Sequence, residues 1–445
     1  MKAATLTPAD SADAHTPRLA AEPGARAWVV LITLCFVYVL NFLDRSLLSI
    51  LAKPIEDSLH ISDGQLGLIS GLFFAVFYCF ISIPVGWIAD KTGRVWVLTV
   101  ACAIWSGATM ACGFAANFAQ LAAARMTVGF GEAGGVPPSY AIISDYFPSG
   151  RRGTALSIYN LGPPIGAALG TAFGASIAAA YSWRDAFIVL GSVGVFAAVL
   201  LAFVVREPVR GGLDRPTGGE NIKATPSGFR QTIRMFFSKP SLVLAAVGSG
   251  VTQIVTYGAG GFTTLFLMRE KGMTLEEVAI WSALVVGIGM GAGIFVSGLV
   301  IDRFTRRWKQ AYALIPAASL TVALPFFIAF VWAPTWQLSL AFLMGPYIFN
   351  FFYLSSSVTL VQEEVRPDQR VTSGALLLLI MNLMGMGIGP AFVGEISDFL
   401  HASHPHNSLQ IALYSLVPFY VIAIAVFLWL ARVLRKESLN NGVSP

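Results

Sequence analysis

The chain has 445 residues, of which 56% are hydrophobic and 12% charged, and its mean hydropathy is +0.69. That balance excludes a soluble globular domain and describes an all-α membrane protein that crosses the bilayer many times. The formal charge of +5 belongs to basic residues gathered on one side of the membrane, so no nucleic-acid partner is implied.

Residues 1–25 carry Asp, Pro, Thr and His but no apolar core, which predicts a disordered tail rather than a cleaved signal peptide. Twelve apolar windows follow, each near the length of about 20 residues that a hydrocarbon core demands. They fall at 27–52, 64–89, 95–116, 119–145, 153–180, 184–205, 241–268, 275–301, 309–331, 336–361, 371–399 and 409–432. The tails and even-to-odd connections hold 23 of the 29 lysines and arginines and the opposite loops four, which predicts both termini in the cytoplasm. For a bacterial cell the membrane is then the plasma, or inner, membrane.

The longest connection, rich in Gly, Pro and charge, divides the spans six and six. The predicted domains are bundles at 26–206 and 240–434, a cytoplasmic linker at 207–239 and a tail at 435–445. The linker ends in "SGFRQTIRMFFSKP", which sets Phe229, Ile233, Phe236 and Phe237 near one face of a helix suited to the membrane interface. Cys35, Cys79, Cys102 and Cys112 lie in apolar runs without ligand spacing and read as packing residues.

Span one contains "NFLDRSLLSI", with Asp44 and Arg45 adjacent in an otherwise apolar run, and span four contains "RMTVGFGEAGG", with Arg125 and Glu132. Each charge at mid-helix costs about 2.5–3.5 kcal/mol on insertion scales, so all four must face protein or water. Arg125 and Glu132 are two helical turns apart and share a face. At 1.5 Å per residue Arg125 lies about 9 Å in, Glu132 about 20 Å in, and Asp44 roughly 25 Å along span one from the other side. The four are expected to form one cluster of zero net charge. Static stapling is a weak reason to keep it, since apolar replacements of buried ion pairs are often neutral or stabilising. Glu132, and second Asp44, are the candidate proton carriers. Arg45 and Arg125, permanently charged and fork-shaped, are candidate contacts for an anionic headgroup, with Asn41 beside them.

The connection after span two reads "GWIADKTGR" and that after span eight "GLVIDRFTR", both fitting G-x-x-x-D-K/R-x-x-R. A second echo pairs "DYFPSGRR" after span four with "EVRPDQR" after span ten. Matched echoes at matched places indicate duplication. Carboxylates at helix ends beside basic residues can form pairs that one conformation keeps and another breaks. Gly86, Asp90, Lys91, Gly93, Arg94, Asp302, Arg303, Arg306, Asp145 and Arg151 are therefore the candidate cytoplasmic gate.

These motifs, the doubling and the twelve spans resemble the major facilitator superfamily over the whole chain after the tail. The resemblance implies two pseudo-symmetric six-helix bundles, with the loop aspartates and basic residues clamping their cytoplasmic ends when the transporter faces outward. It also implies that spans seven and ten line the central cavity, which makes Gln253, Tyr257, Asn350 and Tyr353 candidate substrate contacts. Thr305 stands where Gly93 stands in the first copy, a departure that weakens the second clamp. "NFLDRSLLSI", "RMTVGFGEAGGVPPSYAIISDYFPSGRRGTALSIY" and "WRDAFIVLG" are similar to the Spinster subfamily. Asn41, Asp44, Arg45, Arg125, Gly129, Gly131, Glu132 and Ala133 satisfy its pattern. That resemblance implies a lysophospholipid or sphingosine-1-phosphate-like substrate, with proton coupling. The superfamily's organic-anion symporters carry similar patterns, so uptake of sugar acids stays open as the alternative.

"GFGEAG" fits a nucleotide fingerprint only in letters, because it lies inside a span; its glycines suit close helix approach. "GPPIGAALG" in span five is similar to a family motif of exporters and serves helix packing equally well. His401, His404 and His406 read as an exposed loop. The sequence has no G-x-S-x-G, H-E-x-x-H or G-x-x-x-x-G-K-S/T, so no enzyme, ATP-driven pump, cofactor or metal site is expected. Each chain holds a complete pathway, which predicts a monomer in the bilayer moving its substrate with protons.

Overall fold

The computed structural model describes residues 24–147, 155–156, 158–208, 229–305, 308–366 and 369–440, and all regular structure among them is helical. Eleven of these helical segments are long and apolar enough to cross a membrane. The other span, the fourth, is divided by its own sequence. Phe118–Glu132 gives way to a turn at 133–135, and Val136–Tyr146 restarts on Pro137 and Pro138. Gly134 and Gly135 followed by two prolines weaken the helical backbone ladder there. Span ten breaks at the matching place, between Trp336–Phe349 and Phe352–Glu364, three residues after Pro346.

Helix starts explain the register of the spans. Every even-numbered span begins on the face away from the chain termini, here the far face, and each has its first N–H groups capped. Ser62, Asn117, Ser182, Thr274 and Thr335 accept from the third residue of spans two, four, six, eight and ten. The Glu270 carboxylate accepts from Leu409 and Gln410 at the start of span twelve. A cap is worth about 1 kcal/mol, and its larger effect is to fix where each helix begins.

Spans two and eight share two further features. Both open with a reciprocal capping box, Ser62 with Gln65 and Thr274 with Glu277, and both then pass through one π-helical turn, at Leu68–Leu72 and Val278–Ser282. Ser62 and Thr274 are separated along the chain by the same number of residues as Asp90 and Asp302. The duplication read from the loops therefore extends into helix geometry.

Spans one and five, three and six, and three and four pack together in the first bundle; seven and eleven, seven and twelve, and nine and twelve do so in the second. The bundles meet where span two lies on span eleven and span five on span eight. The small face of "GPPIGAALG" rests on span one, where side chains at Gly166 and Gly170 would meet the backbone of Val39 and Leu43. Packing is thus what that motif does here.

The sequence boundaries differ from the structure in three places. Span five is already helical at 155–156 and 158–159, within its expected bounds, but turns at Asn160 and Leu161, so its long helix starts at Gly162 ahead of Pro163 and Pro164. Span twelve stays helical to Asn440, past the expected start of the tail at 435, since Ala431 to Glu437 are mostly good helix formers. Before span seven the short helix Phe229–Ser238 packs Thr232 and Phe236 against the second bundle and leaves Phe237, Arg230 and Arg234 exposed, so Phe236 and Phe237 do not share one apolar face. The tail at 1–23 and most of the linker, 209–228, lie outside the described residues.

Candidate functional site

The four membrane charges meet, and they meet as two separate pairs. Arg45 Nε lies 2.6 Å from Glu132 Oε2, joining spans one and four. Arg125 Nη1 lies 3.1 Å from Asp44 Oδ2, joining the same spans in the opposite sense. Adjacent residues on a helix point about 100° apart, so Asp44 and Arg45 face different partners.

The pairs differ in access. Asp44 and Arg125 are each 2% exposed and sealed inside the first bundle, where Thr109 of span three donates to Asp44 Oδ1 at 2.8 Å. Glu132 is 1% exposed, but the Arg45 side chain keeps 15% of its surface, so this pair borders the space between the bundles. Three rings surround the Arg45 guanidinium, Phe42, Phe74 and Tyr78, with centroids 5.0, 5.1 and 4.8 Å from Cζ. Such faces hold a cation when its carboxylate partner leaves. Glu132 Oε1 is buried and has no hydrogen-bond partner among the described residues. One oxygen of this carboxylate is committed and the other is open to a proton or a donor.

Glycine makes the cluster possible at two positions of span four. A Cβ at Gly129 would strike the Phe74 carbonyl, and one at Gly131 would strike the Trp105 backbone. Spans two and three therefore approach close enough for Phe74 and Thr109 to reach the charges. The "GFGEAG" glycines serve approach, as their place inside a span required.

From the second bundle, Tyr257 lies within electrostatic reach of Arg45 and Glu132. Gln253 and Tyr353 are buried, with Gln253 Oε1 and, in span one, Asn41 Oδ1 lacking partners among the described residues. Asn350 is elsewhere engaged. Its amide exchanges hydrogen bonds of 3.0 and 3.1 Å with the Tyr420 hydroxyl of span twelve.

On the near face, which carries both ends of the described chain, Arg94 pairs with Asp145, and Lys309 and Lys239 pair with Glu364. Each of these joins helices of one bundle. Glu207 accepts from the Arg94 and Val95 N–H groups beside Gly93, capping span three. Arg303 is exposed. Gly86, Asp90, Lys91 and Asp302 sit in helices whose side chains at those positions lie outside the described residues, as do Arg151 and Arg306 entirely.

The far face is locked across the bundles by residues that the motifs did not single out. Arg269, ending span seven, makes a two-pronged contact with Asp63 of span two at 3.0 and 2.6 Å and reaches Glu56 at 3.4 Å. Ser397 of span eleven donates to Asp63 at 2.6 Å, and Asp398 accepts from the Asp63 and Gly64 N–H groups at 3.0 and 2.8 Å. Burial pushes the Glu56 carboxyl above its ordinary value, with Arg269 opposing and Asp63 adding to the shift. Closure therefore favours a proton on Glu56, and this contribution to closure weakens as pH rises through that interval.

Beneath these charges, span two touches span eleven without side chains between them: a Cβ at Gly67 would strike the Pro390 carbonyl. Gly67→Val is expected to force the far ends apart. Overpacking of this kind costs about 1–3 kcal/mol, which lowers the closed-to-open ratio roughly 5- to 150-fold. Spin-label distances between the far ends of spans two and eleven would check it; an unchanged distance distribution refutes the contact's role.

Comparison with known proteins agrees with this geometry. The model of the Major Facilitator Superfamily matches residues 34–390. An MFS-type efflux pump of Mycolicibacterium smegmatis is 31% identical, over 95% of this chain and 95% of its own. Protein spinster homolog 3 of Danio rerio is 27% identical, over 97% and 91%. The crystal structure of a bacterial homolog to the human lysosomal transporter Spinster, inward-facing and unoccupied, superposes with a TM-score of 0.85 at 29% identity, covering 93% of this chain and 98% of that one. With a superfamily match over most of its length and Spinster-type relatives in both sequence and structure, the chain belongs to the major facilitator superfamily and is a membrane transporter of the Spinster type.

Proposed function

We propose that the protein carries an amphiphilic anionic lipid, of lysophospholipid or sphingosine-1-phosphate type, across the membrane by alternating access coupled to protons. The observation that carries this reading is the Arg45–Glu132 pair. An arginine held by three aromatic faces and one carboxylate oxygen borders the space between the bundles, and the second oxygen of Glu132 is open. An anionic headgroup takes the guanidinium, and the displaced Glu132 takes a proton, because an unpaired carboxylate is costly at that depth. Asp44 is the second carrier. Tyr257, Gln253 and Tyr353 receive the substrate from the second bundle, and the aromatic surfaces suit its tail.

The basic near face is cytoplasmic by charge placement, so the closed far face makes this an inward-facing arrangement in the inner membrane. Bundles 26–206 and 240–434 rock about the linker, and a single chain completes the path. In the outward-facing form Asp90, Lys91 and Arg94 of the first half close on Asp302, Arg303 and Arg306 of the second, with Asp145 and Arg151 alongside.

The test is transport in liposomes of phosphatidylethanolamine and phosphatidylglycerol under an imposed pH gradient, comparing labelled lysophosphatidylglycerol with a labelled sugar acid. Gradient-dependent movement of the lysolipid alone supports the proposal. Movement of the sugar acid alone would instead assign the chain to organic-anion symport.

A further inference from the structure

Thr109 of span three stands at a branch point. Its single hydroxyl lies 2.8 Å from Asp44 Oδ1 and 2.9 Å from the Trp105 carbonyl, and it has one proton to give. A hydroxyl is both donor and acceptor, so it can satisfy either form of the carboxyl. With Asp44 ionised, Thr109 donates to Oδ1. With Asp44 protonated on Oδ1, the new O–H donates to Thr109 Oγ1, whose own proton turns to Trp105 O. Asp44 Oδ2 keeps the Arg125 hydrogen bond in both states.

Behind the pair, Leu40, Trp105, Ser106, Leu190, Gly191 and Gly194 complete with Asp44 and Thr109 a cavity just large enough for one water. Ser106 is 2% exposed, and its hydroxyl has no oxygen or nitrogen partner among the described residues, its one polar neighbour being the Cys102 thiol, toward which it makes a weak contact. The polar side chains of its lining are Ser106, Thr109 and Asp44, within the two to four partners a buried water needs.

We propose that Thr109 is the positioning residue of a proton site at Asp44, turning its hydroxyl to match both protonation states while a Ser106-held water passes the proton. This rests on the proton-coupled reading above. The proton passes between the cavity water and Asp44 Oδ1, and no bond other than O–H is made or broken. The charged and titratable groups facing Asp44 are Arg125 and Glu132 of span four, Cys112 of span three and Arg45 of its own helix. Span six presents only Leu190, Gly191 and Gly194 to the cavity. Arg125 remains charged at every accessible pH, so Asp44 keeps a fixed cationic neighbour.

The test is pH-difference infrared spectroscopy of the purified protein in phosphatidylglycerol nanodiscs, following the carboxylic carbonyl band that disappears in Asp44→Asn. Thr109→Val removes both hydrogen bonds while keeping the shape. The bond to the ionised form is the stronger, so the midpoint of this band is expected to rise by about one to two pH units. Thr109→Ser is expected to restore it, which a purely space-filling role would not. If the valine variant does not accumulate, Thr109→Cys, which differs from Thr109→Ser only in replacing the hydroxyl by a weak thiol donor, reads the same upward shift. An unmoved midpoint in these variants refutes the role of Thr109. A titrating band that survives Asp44→Asn and vanishes only in Glu132→Gln also overturns it, while leaving proton coupling through Glu132 intact. If the pH gradient drives no lysolipid movement in the unaltered protein, the coupled reading itself fails, independently of the band.

Discussion

Glu132→Gln is expected to abolish lysolipid movement driven by a pH gradient while sparing exchange of the same lipid across liposomes at equal pH. Glutamine keeps an oxygen for Arg45 Nε, so the 2.6 Å contact and the helix spacing it sets have a substitute. What disappears is the capacity to hold a proton when the headgroup occupies Arg45. A loss on the order of a hundredfold is the scale on which removal of a positioned proton donor or acceptor acts. Exchange needs only the arginine and the rings of Phe42, Phe74 and Tyr78, which remain. Undiminished gradient-driven transport in this variant would remove Glu132 from the coupling scheme.

Arg125→Leu is expected to lower stability by about 3–5 kcal/mol, because it strands the Asp44 carboxylate in a sealed site with Thr109 as its remaining partner. Adding Asp44→Asn should recover most of the loss, since an amide carries no charge to desolvate. Melting of the four proteins in one detergent gives the full cycle, and a double variant no more stable than Arg125→Leu would show that the two residues are not energetically coupled. Both variants are expected to lose pH-driven transport. The expected result is that stability and transport separate, the double variant recovering the first and not the second.

The spans, the duplication and the meeting of four charges were legible because each rests on a strong constraint. Hydrocarbon thickness fixes span length, and the cost of a lone charge in it demands company. Partner choice was less legible. Asp44 and Arg45 are neighbours in sequence, but their directions around the helix decide that Arg45 takes Glu132 and Asp44 takes Arg125. Thr109, Phe74 and Tyr78 were not legible at all, for a hydroxyl or ring within an apolar run looks the same whether it faces lipid or a charge. Arg269 counted only toward topology, although it is the centre of the far-face lock; its partner Asp63 follows the cap residue Ser62, and that capping-box signature was the available hint.

The π-helical turn at Leu68–Leu72 has a consequence for the phase of span two. It winds one extra residue into the helix, so the segment before it is offset from the segment after it by about 100° of azimuth. Excising a single residue from that turn would relax it to ordinary pitch and swing Asp63 and Gly67 away from Arg269 and Pro390, while Phe74 and Tyr78 kept their bearing on Arg45. The repeated turn in span eight gives the other lobe the same built-in offset. The far-face lock and the rings around Arg45 can therefore be aimed separately along one helix.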